Sequence, residues 1–160
     1  MQIRPATSED WPAIWAIVEP TLRAGETYAL PRDMDEAAAR AYWFASQHAP
    51  FVAEDQGQVL GSYYLRANQA GGGARVANCG YMTAAAAQGR GVARFMCLHS
   101  LAEARGCGFK AMQFNFVVST NTRAASLWNS LGFETVGRLP QAFDHPTLGE
   151  VDALVMYRRL

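Results

Sequence analysis

Residues 75–93 read RVANCGYMTAAAAQGRGVA, an apolar segment that runs into a glycine-rich turn. The segment 75–82 is predicted to be a strand, in which Gly80 indicates a bulge or a close approach of the backbone to another group. Residues 91–105 are predicted to be a helix, so the turn QGRGVA at 88–93 joins a strand to a helix. Its glycines let backbone N–H groups approach an anion, and the start of a helix carries partial positive charge. The turn is therefore suited to a phosphate.

Two common phosphate-binding motifs do not fit this turn. A P-loop requires Lys and then Ser or Thr after its second glycine, whereas Val92 and Ala93 stand there. A dinucleotide-binding fingerprint requires a third glycine where Arg94 stands, and it belongs to a different order of elements. A plain tight turn without a ligand is the remaining alternative.

Outward from the turn, residues 1–160 are predicted to form a single mixed α/β domain. The predicted strands cover residues 1–6, 51–54, 59–65, 75–82, 111–118, 135–139 and 151–158. The predicted helices cover residues 11–20, 34–47, 91–105 and 122–131. Pro20 is expected to end the first helix, and residues 21–33 and 140–150 are expected to be loops. This order favours a largely antiparallel sheet covered by helices, with one parallel crossover near residues 76–118.

The composition excludes several classes of protein. The 160 residues include 14 Lys and Arg and 14 Asp and Glu, and a net charge of zero argues against a nucleic-acid partner. No apolar run approaches the ~18 residues of a membrane span, and Glu9 and Asp10 stand where a signal peptide would be apolar. The 3 cysteines lack the spacing of metal ligands, so no metal is expected. We expect a soluble, cytoplasmic protein with no membrane partner.

Two separated motifs make the chain resemble the GCN5-related N-acetyltransferase (GNAT) superfamily. Gln88-x-x-Gly91-x-Ala93 resembles the pyrophosphate loop Q/R-x-x-G-x-G/A of that family. Residues 121–133, NTRAASLWNSLGF, resemble its second signature, N-x-x-A-x-x-L-Y-x-x-L-G-F. The opening segment IRPAT at 3–7 is similar to the first strand of the family. The resemblance implies the GNAT fold, a central mixed, mostly antiparallel sheet of six to seven strands with helices on both faces.

The resemblance also implies an acetyl-CoA-dependent N-acetyltransferase. In this family two strands splay apart around acetyl-CoA, and here the splay is expected between residues 77–82 and 111–116. An amine then attacks the thioester directly in a ternary complex, and a backbone N–H of the splayed strand stabilises the oxyanion. The residues expected to bind acetyl-CoA are Tyr81, Met82, Thr83, Gln88, Gly89, Arg90, Gly91, Val92, Ala93, Asn121 and Trp128.

Trp128 departs from the family pattern. Many members carry a tyrosine at this position, which protonates the leaving thiolate. An indole N–H only donates and does not titrate usefully, so we expect Trp128 to wall the pocket while another group or water protonates the sulfur. Asn121 is expected to cap the following helix and also to contact the pantetheine or the substrate, with the cap alone as the alternative.

Asn78 and Asn115 each interrupt an otherwise apolar strand. A buried amide without partners costs about 1–3 kcal/mol, so each side chain needs a partner. Each asparagine side chain either bridges the splayed strands or binds a small polar substrate at the mouth of the opening. The segments NFVVSTN at 115–121, GETY at 25–28 and VDA at 151–153, together with Trp128, are similar to fungal proline-analogue N-acetyltransferases.

That closer resemblance implies an acceptor such as L-azetidine-2-carboxylate or a related small amino or imino acid, and a role in detoxification. It implies Asn78, Asn115 and Asn121 as the catalytic asparagines. Glu26 and Tyr28 lie in a loop expected to fold over the acceptor, although a solvated carboxylate and a packing aromatic are the alternatives.

Other functions remain open from the sequence. The acceptor could be a protein or peptide amine or an amine drug, and the chain could be a non-catalytic acyl-CoA-binding module. Asp144 and His145 could supply a base, with a surface turn as the alternative. A homodimer is also expected from the low fraction of charged residues, 18%.

Overall fold

One seven-stranded sheet organises the computed structural model, which describes all 160 residues. The strands are β1 Gln2–Pro5, β2 Ala49–Asp55, β3 Gln58–Ala67, β4 Val76–Thr83, β5 Ala111–Val118, β6 Glu134–His145 and β7 Gly149–Arg159. The helices are α1 Trp11–Ala24, α2 Glu36–Trp43, α3 Val92–Gly106 and α4 Thr122–Ser130. The strand order is β1-β2-β3-β4-β5-β7-β6, and only β4 and β5 run parallel. The predicted mixed, mostly antiparallel sheet is confirmed.

Both faces of the sheet are covered by helices because its strands alternate apolar side chains between the two faces. On β2 and β3, Val52 and Tyr64 pack into one core cluster with residues of α1 and α2. Their neighbours Phe51 and Tyr63 point the other way and join a larger cluster with residues of α3 and α4. The sheet therefore separates an α1/α2 side from an α3/α4 side. None of the four helices has both the length and the apolar composition that a membrane crossing requires.

Pro20 does not end α1, which continues to Ala24. A proline inside a helix removes one N–H donor and costs about 3 kcal/mol. The last turn nevertheless forms because it buries Leu22, which is only 1% exposed. The helix ends instead at Gly25, whose φ of 67° is left-handed and whose amide donates to the Thr21 carbonyl oxygen at 3.3 Å.

The prediction of a loop at 140–150 is also wrong, since β6 extends to His145 and β7 begins at Gly149. Pro140 is tolerated in β6 because this strand lies at the edge of the sheet, where a donor is not needed on the outer side. The β6–β7 register shifts between Leu139 and Phe143, and the amide of Gln141 in the bulge donates to Asp152 Oδ1 at 2.9 Å.

Other boundaries also differ from the sequence prediction. The second helix covers only Glu36–Trp43, and Asp35 caps it by accepting a hydrogen bond from the amide of Ala38 at 2.8 Å. Strand β3, predicted to end at Leu65, continues to Ala67. The extension places Arg66 directly opposite Asn78 of β4, which matters for the site described next.

Candidate active site

The sheet opens between its two parallel strands. Strands β4 and β5 pair only at Val76 with Ala111 and at Ala77 with Met112. Beyond that point β4 stays with β3, whereas β5 stays with β7 after a register shift between Phe114 and Val117. The predicted splay between these two strands is present, and it leaves main-chain groups of both strands without a neighbouring strand.

A cavity of about 710 Å³ occupies this opening. This volume lies within the range of roughly 300–1,000 Å³ that is usual for ligand sites. Thr21 and Tyr42 line the cavity from the α1/α2 side, and Leu127 and Trp128 line it from the α3/α4 side. The cavity therefore passes through the sheet, with one end on each side. Two ligands that meet between the strands can enter from opposite sides.

The glycine-rich turn forms the α3/α4 end of the cavity. Gly89 and Gly91 have φ values of 78° and 80°, a conformation that glycine adopts without strain. The amides of Val92, Ala93 and Arg94 lie in the first turn of α3, where no helical carbonyl precedes them to accept a hydrogen bond. Unpaired N–H groups at a helix start attract an anion.

Two arginines add positive charge at this end. Arg123 of α4 donates from Nη1 to Gln88 Oε1 at 3.3 Å, and Arg94 donates from Nη1 to Ser130 Oγ at 3.3 Å. Both arginines line the cavity, Arg66 lines its other end, and no Asp or Glu is in the lining. The whole cavity is therefore electropositive, which suits anionic ligands.

The main chain of β4 points alternately toward β3 and toward the opening. The amide of Ala84 donates to the Leu60 carbonyl oxygen at 2.8 Å, and the β3–β4 register has no shift. Because hydrogen-bonded and non-hydrogen-bonded positions alternate, Met82 turns its main chain toward β3, whereas Tyr81 and Thr83 turn theirs toward the opening. Of the three residues predicted to offer main-chain groups to acetyl-CoA, only Tyr81 and Thr83 face the opening.

Asn121 caps α4, since its Oδ1 accepts a hydrogen bond from the amide of Ala124 at 3.3 Å. Its side chain also lines the cavity, so the cap leaves the amide nitrogen within reach of a ligand. Trp128 is 7% exposed, and its ring centroid lies 5.2 Å from that of Tyr81 and 5.1 Å from that of Phe114. The indole is thus a packed wall of the cavity.

A chain of amides crosses the base of the opening on the α1/α2 side. Asn78 donates from Nδ2 to the Gln113 carbonyl oxygen at 2.9 Å and accepts at Oδ1 from Arg66 Nε at 3.1 Å. Asn115 donates from Nδ2 to Asn68 Oδ1 at 2.7 Å and accepts at Oδ1 from Gln113 Nε2 at 2.8 Å. Both predicted asparagines line the cavity and both have partners within the chain.

Aromatic hydroxyls form the rest of this end. Tyr28 donates to the Tyr81 carbonyl oxygen at 3.2 Å, and the hydroxyl oxygens of Tyr42 and Tyr64 lie 2.9 Å apart. Burial raises the pKa of Tyr28 and of Tyr64, so both hydroxyls stay protonated at any ordinary pH. They can accept or donate hydrogen bonds but do not serve as anionic bases.

Most of the residues predicted for the site come together in the cavity lining. These are Tyr28, Asn78, Tyr81, Met82, Thr83, Gln88, Gly89, Gly91, Val92, Ala93, Asn115, Asn121 and Trp128. Glu26 and Arg90 are exposed and lie outside the lining, and the Arg90 guanidinium is 3.6 Å from the Asp55 carboxylate. His145 is the last residue of β6, and its Nδ1 accepts hydrogen bonds from the amides of Thr147 and Leu148 in the turn that follows.

Four further lining residues were not predicted as site residues from the sequence: Tyr42, Tyr64, Arg66 and Arg123. Strand alternation was a usable signal for two of them, because Tyr64 and Arg66 are two residues apart and so share a face of β3. Arg66 lay outside the strand as predicted, which ended at Leu65.

Known proteins share this fold. The model of the acetyltransferase (GNAT) family matches residues 11–133. N-acetyltransferase aca1 of Schizosaccharomyces pombe is 30% identical over 137 residues, which span 76% of this chain and 66% of aca1. A GCN5-related N-acetyltransferase from Kribbella flavida is 46% identical with a TM-score of 0.95, covering 99% of this chain and 97% of that one. The structure of yncA from Salmonella typhimurium with its cofactor acetyl-CoA is 27% identical with a TM-score of 0.87, covering 100% of this chain and 94% of that one.

Proposed function

Since the chain belongs to the acetyltransferase (GNAT) family and is an acetyl-CoA-dependent N-acetyltransferase, we propose that its acceptor is the amine of a small amino or imino acid. Proline analogues and amino-acid-like toxins are the acceptors we favour, with detoxification in the cytoplasm as the biological setting. The glycine-rich end of the cavity holds acetyl-CoA in this proposal, and the α1/α2 end holds the acceptor.

The positive charge of the α1/α2 end is the observation that favours a small amino or imino acid as the acceptor. Arg66 and the amides of Asn78 and Asn115 line this end, and no carboxylate does. A polycationic acceptor, such as an aminoglycoside-like drug, would be repelled by an electropositive cavity. An amino or imino acid brings its own carboxylate, which balances the positive charge of the site. The small, partly apolar wall of tyrosines suits a compact ring or a short side chain.

The geometry of the other end supports the proposed cofactor-binding residues. Gln88, Gly89, Gly91, Val92 and Ala93 hold the pyrophosphate through main-chain donors at the start of α3. Tyr81 and Thr83 flank the pantetheine arm, and one of their N–H groups donates to the thioester carbonyl oxygen. Bound acetyl-CoA supplies the thioester that the acceptor amine attacks.

Alignment of the two reactants is the main contribution of the chain in this mechanism. The acceptor amine attacks in its neutral form, so its ammonium proton passes first to water in the cavity rather than to a dedicated base of the chain. The asparagines Asn78, Asn115 and Asn121, proposed for the catalytic site, act by positioning the reactants, directly or through a neighbouring side chain, rather than by moving protons. Because Trp128 cannot donate a titrating proton, water or another group protonates the departing thiolate.

Release of CoA from acetyl-CoA by the purified protein tests this function. The panel contains L-azetidine-2-carboxylate, proline, other amino acids, phosphinothricin, methionine sulfoximine, aminoglycosides and short peptides. Mass detection of the acetylated product identifies each acceptor. Selective acetylation of a small amino or imino acid supports the proposal, and Asn115→Ala should then raise the acceptor KM without changing the KM for acetyl-CoA.

Three other results would overturn the proposal in different ways. Acetylation of peptides alone or of amine drugs alone would move the acceptor to those classes. Tight binding of acetyl-CoA without turnover of any acceptor would indicate an acyl-CoA-binding module. The expected homodimer is independent of the acceptor and is tested by sedimentation equilibrium.

A further inference from the structure

Arg66 is the only positive side chain at the acceptor end of the cavity. It lies on β3 two residues beyond Tyr64 and faces the α1/α2 side with it. Its side chain is half-buried and lines the cavity, whereas Arg94 and Arg123 line the opposite end. A guanidinium that is partly desolvated and open to a cavity is a strong site for an anion.

The Arg66 guanidinium is held in place by one neighbour and leaves the rest of its donors unused. Its Nε donates to Asn78 Oδ1 at 3.1 Å, and neither Nη atom donates to any other group of the chain. No Asp or Glu lies within ion-pair distance of Arg66. A carboxylate can accept two parallel hydrogen bonds from such a fork.

Asn78 is suited to hold Arg66 rather than to bind a ligand itself. It is 6% exposed. Its Oδ1 accepts a hydrogen bond from Arg66 on β3, and its Nδ2 donates one to the Gln113 carbonyl oxygen on β5. The side chain therefore spans the strands where they begin to separate. Any ligand that engages the Arg66 fork lies at this point of the opening.

The distance along β4 matches a small acceptor. Asn78, opposite Arg66, precedes Gly80 by two residues, or roughly 7 Å. Tyr81, which turns its main chain toward the opening, follows immediately. An α-amino or imino acid bound by its carboxylate at Arg66 would place its amine toward Gly80 and Tyr81, where the thioester is expected.

We propose that Arg66 binds the carboxylate of the acceptor, and that Asn78 is a positioning residue which orients the Arg66 guanidinium. This inference rests on the proposed function, since it requires an acceptor that carries a carboxylate. It goes further because it names the group by which the site selects amino and imino acids over other amines.

The test compares two acceptors that differ only in the group that Arg66 would bind. L-azetidine-2-carboxylate and its carboxamide have the same ring and the same secondary amine. The wild-type chain should prefer the carboxylate. Arg66→Gln should lower kcat/KM for the carboxylate by about tenfold to a hundredfold, the usual effect of losing a charge-assisted pair. It should change kcat/KM for the carboxamide by less than about twofold.

Three variants serve as matched comparisons. Arg66→Lys keeps the charge but not the fork, so it should recover part of the preference. Asn78→Ala should raise the KM for the carboxylate acceptor more than the KM for the carboxamide, because it loosens the guanidinium without removing it. Arg123→Gln removes an arginine at the other end and should raise the KM for acetyl-CoA equally with both acceptors. Thermal unfolding of each variant shows whether it is folded.

The outcomes separate this inference from the proposed function. If the wild-type chain prefers the carboxylate but Arg66→Gln keeps that preference, Arg66 is not the carboxylate ligand and the proposed function stands. Equal loss with both acceptors would give Arg66 a structural role only. If the wild-type chain acetylates neither acceptor but acetylates peptides or drugs, both the inference and the proposed function fail.

Discussion

The Tyr28 hydroxyl donates a hydrogen bond to the Tyr81 carbonyl oxygen over 3.2 Å. This contact ties the segment after α1 to the strand that borders the opening of the sheet. Gly80 makes it possible, since a Cβ atom at this position would lie 2.7 Å from the Tyr28 hydroxyl oxygen and 2.7 Å from the Tyr64 ring. The close approach that the sequence indicated at Gly80 is therefore the approach of two tyrosines.

Gly80→Ala should damage the acceptor end of the cavity and spare the cofactor end. The added methyl group must push Tyr28 and Tyr64 from their places, because real Cβ atoms essentially never come this close. We expect the acceptor KM to rise about tenfold, while the dissociation constant of acetyl-CoA changes little. Steady-state kinetics and calorimetric titration with acetyl-CoA measure the two effects, and a larger effect on acetyl-CoA would contradict this division of the cavity.

Gly91→Ala should weaken acetyl-CoA binding through the backbone alone. A Cβ at Gly91 would meet nothing within 4 Å, so only its φ of 80° resists substitution. The left-handed conformation costs a non-glycine residue about 1–2 kcal/mol. We expect the KM for acetyl-CoA to rise several-fold.

Gly106→Ala is the matched control for Gly91→Ala. Gly106 is helical, and a Cβ there also meets nothing within 4 Å. Alanine should therefore leave kinetics unchanged and stabilise the fold by up to about 1 kcal/mol. Equal kinetic effects of the two substitutions would contradict a role for the turn in binding.

Only one of the three thiols should react in the native protein. Burial raises the pKa of Cys79 and of Cys97 to about 12, whereas Cys107 is exposed. Since the thiolate is the nucleophile, Ellman's reagent at pH 8 should titrate one thiol rapidly in the folded chain and all three in denaturant. Cys107→Ser should remove the rapid phase, and two rapid thiols in the native wild-type chain would contradict the burial of Cys79 and Cys97.

Asp10 should contribute to stability at neutral pH and lose that contribution in acid. Hydrogen bonds from the Arg4 guanidinium, at 2.7 and 2.8 Å, are the main cause that lowers the pKa of Asp10 from 3.8 to about 2. A carboxyl group with a lowered pKa in the folded state stabilises that state above its unfolded pKa. The contribution is full above about pH 4 and disappears as the pH falls through about 2.

Asp10→Asn tests this linkage. At pH 7 it should lower the free energy of unfolding by about 2 kcal/mol, and the difference from wild type should shrink toward pH 2. Urea unfolding at several pH values measures the difference. Asp33→Asn, which changes an exposed carboxylate outside any ion pair, should show no such trend. A difference for Asp10→Asn that is constant with pH would contradict the assignment.

The glycine-rich turn and its flanking elements could be predicted from the sequence because their determinants are local. Gly89 and Gly91 permit left-handed φ values, and the apolar spacing after Gly91 builds α3, so a helix start with free N–H groups follows within a few residues. The same holds for the Asn121 cap of α4. These elements indicate the end of the cavity proposed for the cofactor without any knowledge of the tertiary structure.

The extent of α1 and of the β6–β7 hairpin depended on contacts that lie far apart in the chain. The burial of Leu22 carries α1 past Pro20, and the edge position of β6 admits Pro140. Local rules for proline predict a break at both places. The helix and the strand nevertheless continue past these prolines because of packing energy and strand position, which local rules do not include.

The sequence by itself determined the class of fold, the glycine-rich helix start and the presence of two asparagines in apolar strands. Only the tertiary structure decided which groups those asparagines contact, since Asn78 donates to Gln113 at a separation of 35 residues and Asn115 donates to Asn68 at a separation of 47. An amide has the same donors and acceptors at either position, so its role is set by the partners that strand register brings to it. The register that places Arg66 opposite Asn78 is likewise a property of the folded sheet.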